Sequence, residues 1–313
     1  GDGHAVTLFN RGTTDPSDAR RMEMVRGDRE HDLARLGERQ WDAVVDTSAY
    51  LPKTVETSAR FFSERARRYV FVSTISVHDF SVAPIREETP LLRLADDASH
   101  TEMTPETYGA LKVLCESVVA STYRDRCAIL RPSLVAGPYD PTDRFTYWVV
   151  RIARGGMVLA PENPQMKTQF CDARDLAEFC AQVVRDEIPG EFEVAGVRTT
   201  FGDLFETCKR IARSDPDFVW ADADFLARSE VRPWADFPLW VPASAGIPGV
   251  IHIDTRRAKA AGLKTRPLSD TVRDTLTWAL NRPKDHAWLA GLTAQREGEL
   301  IEAYAAKPFD PVG

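Results

Sequence analysis

The stretch TYGALK, residues 107–112, lies within a run from Thr104 to Ala120 whose apolar residues have helical spacing. It contains a Tyr-x-x-x-Lys pattern formed by Tyr108 and Lys112. Residues four apart lie one turn apart on the same helix face, so these side chains are predicted to point into the same space. A neighbouring ammonium favours the ionised form of a phenol, which could then exchange a proton with a substrate near neutral pH. The pattern also occurs by chance on many helices, so its context decides its meaning.

Two short, apolar, β-branched segments flank this helix along the chain. Residues 68–78 (RYVFVSTISVH) predict a buried parallel strand whose carboxyl end delivers Ser73 and Thr74 to a cleft. Residues 127–138 (CAILRPSLVAGP) predict another strand, which runs into a loop after Arg131-Pro132. The series is therefore a strand ending in hydroxyls, a helix with Tyr and Lys, and a strand ending in Arg-Pro.

This series resembles the extended short-chain dehydrogenase/reductase family, in its NAD-dependent epimerase/dehydratase branch, and the similarity runs from about His4 to Asn281. The resemblance implies an α/β fold, a Rossmann-like doubly wound parallel sheet with a small C-terminal substrate lobe. We expect residues 1–185 to form the dinucleotide-binding domain. Residues 186–313 are expected to form mainly the smaller lobe and the C-terminal helices, with some return to the main domain.

The amino-terminal segment departs from the family's pattern. Residues 4–12 (HAVTLFNRG) resemble the second strand of a dinucleotide-binding fold, and only Gly1-Asp2-Gly3 precede them. In the family a first strand, a Gly-rich turn and a helix come earlier, and that helix holds the cofactor pyrophosphate at its N-terminus. Either the sequence is incomplete or the protein has lost this cradle. We favour the first alternative, because every later element of the fold is recognisable.

The end of this strand bears on the cofactor. NAD-binding members of the family carry an acidic residue there, which holds the adenosine ribose, whereas this chain has Asn10 and Arg11. The planar guanidinium of Arg11 can pair with a 2′-phosphate. NADP(H) is therefore the favoured cofactor and NAD(H) stays possible. The alternative is that Arg11 stacks on adenine or faces solvent.

Further positions follow from the resemblance. Asp28, in a Gly-Asp turn, is expected to contact the adenine amino group. The buried strand over residues 41–46 should lead Ala49 beneath the cofactor phosphates and ribose. Asp46 at its end needs hydrogen-bond partners and could be a structural anchor or a site residue. Residues 55–68 predict an amphipathic helix with basic residues at its carboxyl end.

The resemblance also assigns the catalytic roles. Tyr108 would be the general acid/base, with a pKa lowered by Lys112, and Lys112 would also hydrogen-bond the nicotinamide ribose. Thr74 takes the place of the family's catalytic Ser/Thr and would orient the substrate oxygen. The residues expected at the nicotinamide end of the cofactor are Ser73, Tyr108, Lys112, Pro132 and Val135.

Residues 139–148 (YDPTDRFTYW) mix acids, an arginine and three aromatics just beyond the strand expected at the nicotinamide. In one interpretation they form a substrate-binding wall, and the candidates are Asp143, Arg144, Tyr147 and Trp148. In the other, a helix packs its aromatic side chains into the second lobe. The sequence leaves both open.

Composition excludes several classes of function. The hydrophobic content of 43% and the charged content of 28% are ordinary for a soluble globular protein. The net charge of −7 gives no electrostatic reason to expect nucleic-acid binding. No apolar run reaches the length of a membrane span, and there is no signal-peptide pattern. The five cysteines lack close pairs, which favours a reducing cytoplasm and argues against a metal site.

These patterns together predict an NAD(P)(H)-dependent oxidoreductase that transfers a hydride to or from a hydroxyl or carbonyl carbon of a small-molecule substrate. The expected state is a monomer or homodimer. A nucleotide-sugar epimerase with tightly bound NAD(P) is the alternative, although no residue pattern clearly indicates a UDP-binding site. A second alternative is a non-catalytic nucleotide- or RNA-binding relative, against which the set Thr74, Tyr108 and Lys112 and the negative charge both count.

Overall fold

A computed structural model describes residues 3–12, 22–95, 99–283 and 285–306. The chain divides into two compact units. Unit 1 comprises Gly1–His78, Pro90–Arg131 and Cys180–Phe192, and unit 2 comprises Asp79–Thr89, Pro132–Phe179 and Glu193–Gly313. The sequence predicts one boundary, after residue 185. The division differs because the chain passes between the units several times, and residues 132–179 share their core with the C-terminal residues.

Unit 1 alternates strands and helices, which is the sequence pattern of a parallel sheet. Its elements are β1 (Thr7–Asn10), β2 (Glu23–Arg26), β3 (Trp41–Asp46), α1 (Pro52–Ser63), β4 (Ala66–Val72), α2 (Tyr108–Tyr123) and β5 (Cys127–Pro132). The main sheet has the order β10-β5-β4-β3, in which β10 is Gly190–Val194, and β3–β4 and β4–β5 pair in parallel. This architecture confirms the predicted α/β, Rossmann-like class.

The strands β1 and β2 form a separate parallel ladder, in which Asn10 is the partner of Arg26. Among the described residues, no ladder joins this pair to β3. The carboxyl ends of β1 and β2 lie side by side, because parallel strands in register end at the same edge of the sheet.

The predicted helix over residues 55–68 was wrong at its carboxyl end. Helix α1 begins with Pro52, whose fixed φ suits the first turn of a helix, and it ends at Ser63. Residues 66–68 belong instead to β4, because Ala66 pairs with Trp41 of β3. Arg67 and Arg68 therefore lie on a strand and Arg65 in the turn before it, whereas Arg60 lies in the last turn of α1.

The core of unit 1 lies between the sheet and its helices. Strand β4 buries both of its faces, as strands of parallel sheets do, and Tyr69 and Phe71 are fully buried. Helix α2 contributes Cys115, Val119 and Tyr123, which are spaced four residues apart on one face. This packing fixes α2 on the strand that ends at the predicted catalytic hydroxyls.

Unit 2 holds an aromatic core. Its elements are β6 (Val135–Ala136), α3 (Thr146–Ala153), β7 (Gly156–Pro161), β8 (Lys167–Thr168), β9 (Cys171–Asp172), β11 (Thr199–Thr200), α5 (Phe201–Ala212), β12 (Pro216–Ala221), α6 (Ala223–Arg228), α7 (Arg256–Ala260), α8 (Leu268–Ala279) and α9 (Ala294–Ala305). Strands β7 and β12 pair in parallel. The remaining helix, α4 (Ala173–Arg185), contains residues of both units. Trp148, Phe205 and Phe237 meet at the centre of the core.

All five cysteines are buried, and none of them forms a disulfide. Burial raises the pKa of the Cys115 and Cys180 thiols to about 12 and that of Cys127 to about 11. The pKa of Cys208 is raised as well, for the same reason. These thiols pack as small apolar side chains.

Within the described ranges, none of the helices combines the length and the apolar character that crossing a membrane requires.

Candidate active site

The chain leaves β4 through Ser73 and Thr74, both of which are buried. The Ser73 N–H donates to the Leu130 carbonyl at 2.7 Å and extends the ladder with β5 by one residue. The Thr74 hydroxyl accepts a hydrogen bond from the Ser76 N–H at 3.1 Å and so caps a short helical turn. The Ser73 hydroxyl has no hydrogen-bond partner among the described residues. A buried hydroxyl in this state can bind a polar atom of a ligand.

A glycine brings the helix of the Tyr-x-x-x-Lys pattern to this turn. Helix α2 begins at Tyr108, and Gly109 follows. A Cβ atom at residue 109 would lie only 2.0 Å from the Ser76 carbonyl oxygen. Because glycine has no Cβ, the first turn of α2 packs directly against the backbone of the turn. Tyr108 consequently lies close enough to Thr74 for the Thr74 side chain to act on its pKa.

Lys112 lies one turn further along α2 and is buried. Its Nζ donates to the Ala49 carbonyl and to the Val72 carbonyl, both at 2.9 Å. The ammonium also lies 4.2 Å from the centre of the Phe71 ring and 5.8 Å from that of Tyr50. These contacts are favourable for a cation held in a poorly solvated position. Lys112 therefore ties α2 to the segment that follows β3 and to the last residue of β4.

The protonation states differ from the sequence expectation. Burial raises the pKa of the Tyr108 phenol, and only the Thr74 side chain acts in the opposite direction. Burial lowers the pKa of the Lys112 ammonium to about 8. The expected lowering of the Tyr108 pKa by Lys112 is not found, because the ammonium donates to two carbonyl oxygens and the phenol is itself desolvated. At neutral pH Tyr108 is therefore a neutral proton donor.

The residues predicted for the adenosine end lie at the carboxyl ends of β1 and β2. The Asn10 Oδ1 accepts from the Gly12 N–H at 2.9 Å, which shapes the turn that carries the exposed Arg11 side chain. Across the ladder, the Asp28 Oδ1 accepts from the Glu30 N–H at 2.8 Å. The structure thus brings Asn10, Arg11 and Asp28 to the ends of two neighbouring strands.

Three predicted residues lie in unit 2 around its first elements. Pro132 is the last residue of β5 and is buried, and Val135 is partly exposed on β6. Asp143 has a positive φ of 60° and is buried. Its carboxylate pairs with Arg282 at 2.8 Å and with His286 at 2.9 Å. Asp143 thereby holds the segment before α3 to residues that follow α8.

The other three predicted residues of this segment separate into two groups. Tyr147 and Trp148 are buried, and the Trp148 Nε1 donates to the Pro238 carbonyl at 2.6 Å. They occupy the positions that the packing-helix alternative describes. Arg144 is exposed, with its guanidinium carbon 5.9 Å from the centre of the Trp234 ring. Among the four residues predicted for the substrate wall, Arg144 alone has an exposed side chain.

Some features of the site were missed in the sequence. Gly109 was inside the quoted stretch, and a glycine directly after the tyrosine could have indicated a close backbone approach. Tyr50 follows Ala49 and could have been included with it. The carbonyl oxygens of Ala49 and Val72 carry no residue signature, so only the structure reveals them as partners of Lys112.

Solved structures with the same fold extend over nearly the whole chain. UDP-N-acetylglucosamine 4-epimerase from Bacillus cereus has a TM-score of 0.66 and 17% identity, and the match covers 92% of each chain. UDP-glucuronic acid 4-epimerase from Bacillus cereus, in complex with NAD, has a TM-score of 0.62 and 13% identity, covering 90% of this chain and 93% of that one. The Bordetella bronchiseptica enzyme WbmG, in complex with NAD and UDP, has a TM-score of 0.62 and 14% identity, covering 88% and 87%.

Sequence comparison gives the family. No curated protein sequence matches the chain. The family model described as the NAD dependent epimerase/dehydratase family matches residues 1–195 of the 313 residues. The matched region includes the carboxyl ends of β1 and β2 and the set formed by Thr74, Tyr108 and Lys112. The protein therefore belongs to the NAD-dependent epimerase/dehydratase family.

Proposed function

We propose that this protein is an NAD(P)(H)-dependent oxidoreductase that transfers a hydride to or from a hydroxyl or carbonyl carbon of a small substrate. Tyr108 is the general acid/base, Thr74 orients the reacting oxygen and Lys112 holds the nicotinamide ribose. The observation that carries the proposal is that the close approach of α2 at Gly109 holds Tyr108 beside Thr74 and one turn from the buried Lys112 ammonium. A neutral phenol and a hydroxyl that lie side by side can both hydrogen-bond one substrate oxygen, and the phenol can give it a proton.

The residues present fit a dinucleotide at both of its ends. The Ser73 hydroxyl is buried without a partner among the described residues, so a polar cofactor atom would satisfy it. An ammonium group has three N–H donors, and Lys112 uses two of them on carbonyl oxygens. The third donor is left for a ribose hydroxyl. Asn10, Arg11 and Asp28 would hold the adenosine end.

The chemistry follows from these groups. When bound, the reduced dinucleotide supplies a hydride to the carbonyl carbon, and the C=O electron pair moves onto the substrate oxygen. Tyr108 donates its phenolic proton to that oxygen, which yields the alcohol. Thr74 donates a hydrogen bond that holds the oxygen within reach of Tyr108. In the reverse direction, the Tyr108 phenolate removes the alcohol proton.

The proposal is tested by Tyr108→Phe, which removes the proton donor and keeps the ring. NADPH oxidation over a panel of aldehydes and ketones should fall on the order of 10²–10⁴-fold. Tyr123→Phe is the matched control, because its hydroxyl contacts the Ala59 carbonyl inside the core at 3.4 Å and nothing at the site. A Tyr108→Phe enzyme that turns over a real substrate at the wild-type rate contradicts the assignment.

The proposed cofactor preference is NADP(H), supported by the exposed Arg11 and by the lack of an acidic residue at the end of β1. Arg11→Gln should weaken NADPH binding about 10-fold or more and leave NADH binding unchanged. Arg39→Gln is the control, because Arg39 pairs with Glu23 at 2.7 Å on the surface of the same unit. Titration followed by nicotinamide fluorescence measures both. Equal losses for NADPH and NADH would assign Arg11 to adenine stacking.

An epimerase is the second candidate, favoured by the fold shared with two UDP-sugar 4-epimerases. In that reaction the hydride returns to the substrate, so the cofactor is regenerated in each cycle. The two candidates are separated by incubating the protein with substrate and one equivalent of cofactor. Turnover that stops when the cofactor is consumed indicates a net oxidoreductase, and continued turnover with inversion at one carbon indicates an epimerase.

A further inference from the structure

An ion pair that the proposed function does not use lies at the end of β3. Asp46 is buried, and its carboxylate accepts a hydrogen bond from each Nη atom of Arg29, at 2.7 and 2.6 Å. The Tyr69 hydroxyl donates to the same carboxylate at 2.6 Å, and Arg29 also donates to the Ser58 hydroxyl at 2.7 Å. Burial, the largest single effect, raises the pKa of Asp46, but the hydrogen bonds and charge of Arg29 together with the hydrogen bonds from Tyr69 and the Ser48 N–H outweigh it, so the pKa lies below its usual value. The pair is therefore ionised throughout the neutral range.

The pair joins segments on both sides of the candidate site. Arg29 directly follows Asp28, whose turn is assigned to the adenosine end. Asp46 lies three residues before Ala49, whose carbonyl oxygen accepts the Lys112 hydrogen bond. Asp46 also pairs across the sheet with Phe71, whose ring lies 4.2 Å from the Lys112 ammonium. One buried contact thus fixes the backbone that Lys112 depends on.

We propose that Arg29 and Asp46 are positioning residues for Lys112, which act on its ammonium through their opposite charges, held in place at the strand end that carries the Ala49 carbonyl. The inference rests on the proposed function only for the use made of Lys112. It goes beyond that function because neither residue touches the reacting atoms.

The charges of the pair also reach Lys112, and with opposite signs. Asp46 favours the ammonium form and Arg29 disfavours it, while burial has the largest effect. Tyr50 and Tyr108 are the nearby phenols. The other charged or titratable groups that act on Lys112 are Cys115 and Glu116, both on α2. Removing one member of the pair therefore changes the field at Lys112 in a direction set by the member that is lost.

The test follows Lys112 itself in the full chain without added cofactor. Lysine side chains are labelled with ¹³C at Cε, and the Lys112 signal is assigned by its loss in Lys112→Met. Its titration midpoint is then measured in Asp46→Asn and in Arg29→Met. Asp46→Asn should lower the midpoint and Arg29→Met should raise it, each by about half a pH unit or more. Asp46 stays ionised in Arg29→Met at the pH where Lys112 titrates, because Tyr69 still donates to it.

Two further variants guard against unfolding. Tyr69→Phe removes one donor to Asp46, and Tyr123→Phe removes a hydroxyl from the ring that packs on Tyr69 at 4.9 Å. If Asp46→Asn does not fold, the test uses Arg29→Met and Tyr69→Phe instead. Arg29→Met should raise the midpoint, Tyr69→Phe should shift the Lys112 signal, and Tyr123→Phe should do neither.

Equal midpoints in the wild-type protein and both charge variants, or shifts of the same sign, would overturn the inference. A purely structural pair would lower stability in both variants without opposite shifts at Lys112. The measurement involves no turnover, so it is separate from the Tyr108→Phe test. If Tyr108→Phe stays active while the opposite shifts are seen, the proposed function fails and the coupling stands. If the shifts are absent while Tyr108→Phe is inactive, only the coupling fails.

Discussion

The end of β4 and the start of α3 have similar compositions and different physical states. Both gather aromatic, charged and hydroxyl side chains. At the end of β4, the Ser73 hydroxyl has no partner within the described ranges, and Lys112 retains one N–H donor. Before α3, Asp143 is held by Arg282 and His286, and Trp148 donates to the Pro238 carbonyl. The end of β4 therefore keeps donors for a ligand, whereas the carboxylate before α3 is held in two ion pairs and the indole in a hydrogen bond.

The largest effect expected at the α3 side is on stability. Trp148→Ala should lower the free energy of unfolding by about 3–5 kcal/mol, because a fully buried indole and its hydrogen bond are lost. Trp288→Ala, at an indole that is 36% exposed, is the control and should cost clearly less. Urea unfolding measures both. A stable Trp148→Ala protein with impaired substrate binding would instead indicate that Trp148 lines the substrate-binding wall.

At the β4 side, Lys112 gives a pH-dependent effect. Its pKa of about 8 in the folded protein lies below the ordinary value of 10.5, so the unfolded chain binds more protons between these values. The free energy of unfolding should therefore rise with pH across this window, by at most about 1.4 kcal/mol per pH unit. Lys112→Met should lack this rise. Identical pH slopes in the two proteins from pH 8 to 10 would show that the ammonium is not desolvated.

Gly109 tests the close approach of α2 to the turn after β4. Gly109→Ala places a Cβ against the Ser76 carbonyl oxygen and should cost about 1–3 kcal/mol of stability. Activity should also fall, because Tyr108 is displaced from Thr74. Gly298→Ala in α9 is the matched control, since a Cβ there meets nothing within 4 Å and the change should be neutral or stabilising. Equal behaviour of both variants would show that the approach at Gly109 is not tight.

The smallest expected effect concerns Arg144, the exposed member of the segment before α3. Arg144→Ala should change stability by less than about 1 kcal/mol, because only its contact with Trp234 is lost. If Arg144 binds substrate, KM should rise while kcat changes little. An unchanged KM would mean that Arg144 does not contact substrate. The segment before α3 would then have a structural role alone, unlike the end of β4.

The parts of the site that could be predicted are those with side-chain signatures of fixed spacing. The four-residue interval between Tyr108 and Lys112 and the hydroxyls after β4 were read from the sequence, and so was the parallel sheet. The partners of Lys112 are backbone carbonyls, which any residue could supply. The sequence predicts that Asp46 needs a hydrogen-bond partner. It does not identify Arg29 as that partner, because the fold brings together two residues that are 17 positions apart in the chain. The end of α1 was missed because pairing between Ala66 and Trp41 overrides helical spacing.

The buried thiols give each unit its own kinetic reporter. A thiolate is the reactive form of cysteine, and burial keeps Cys115 of unit 1 and Cys208 of unit 2 protonated and out of reach of reagents. Alkylation of either residue therefore requires the surrounding structure to open, and its rate measures how often this happens. Peptide mapping after timed alkylation would follow the opening of the unit with the candidate site separately from that of the aromatic core. Ligands of the candidate site would then be recognised, without any assay of turnover, by slower modification of Cys115.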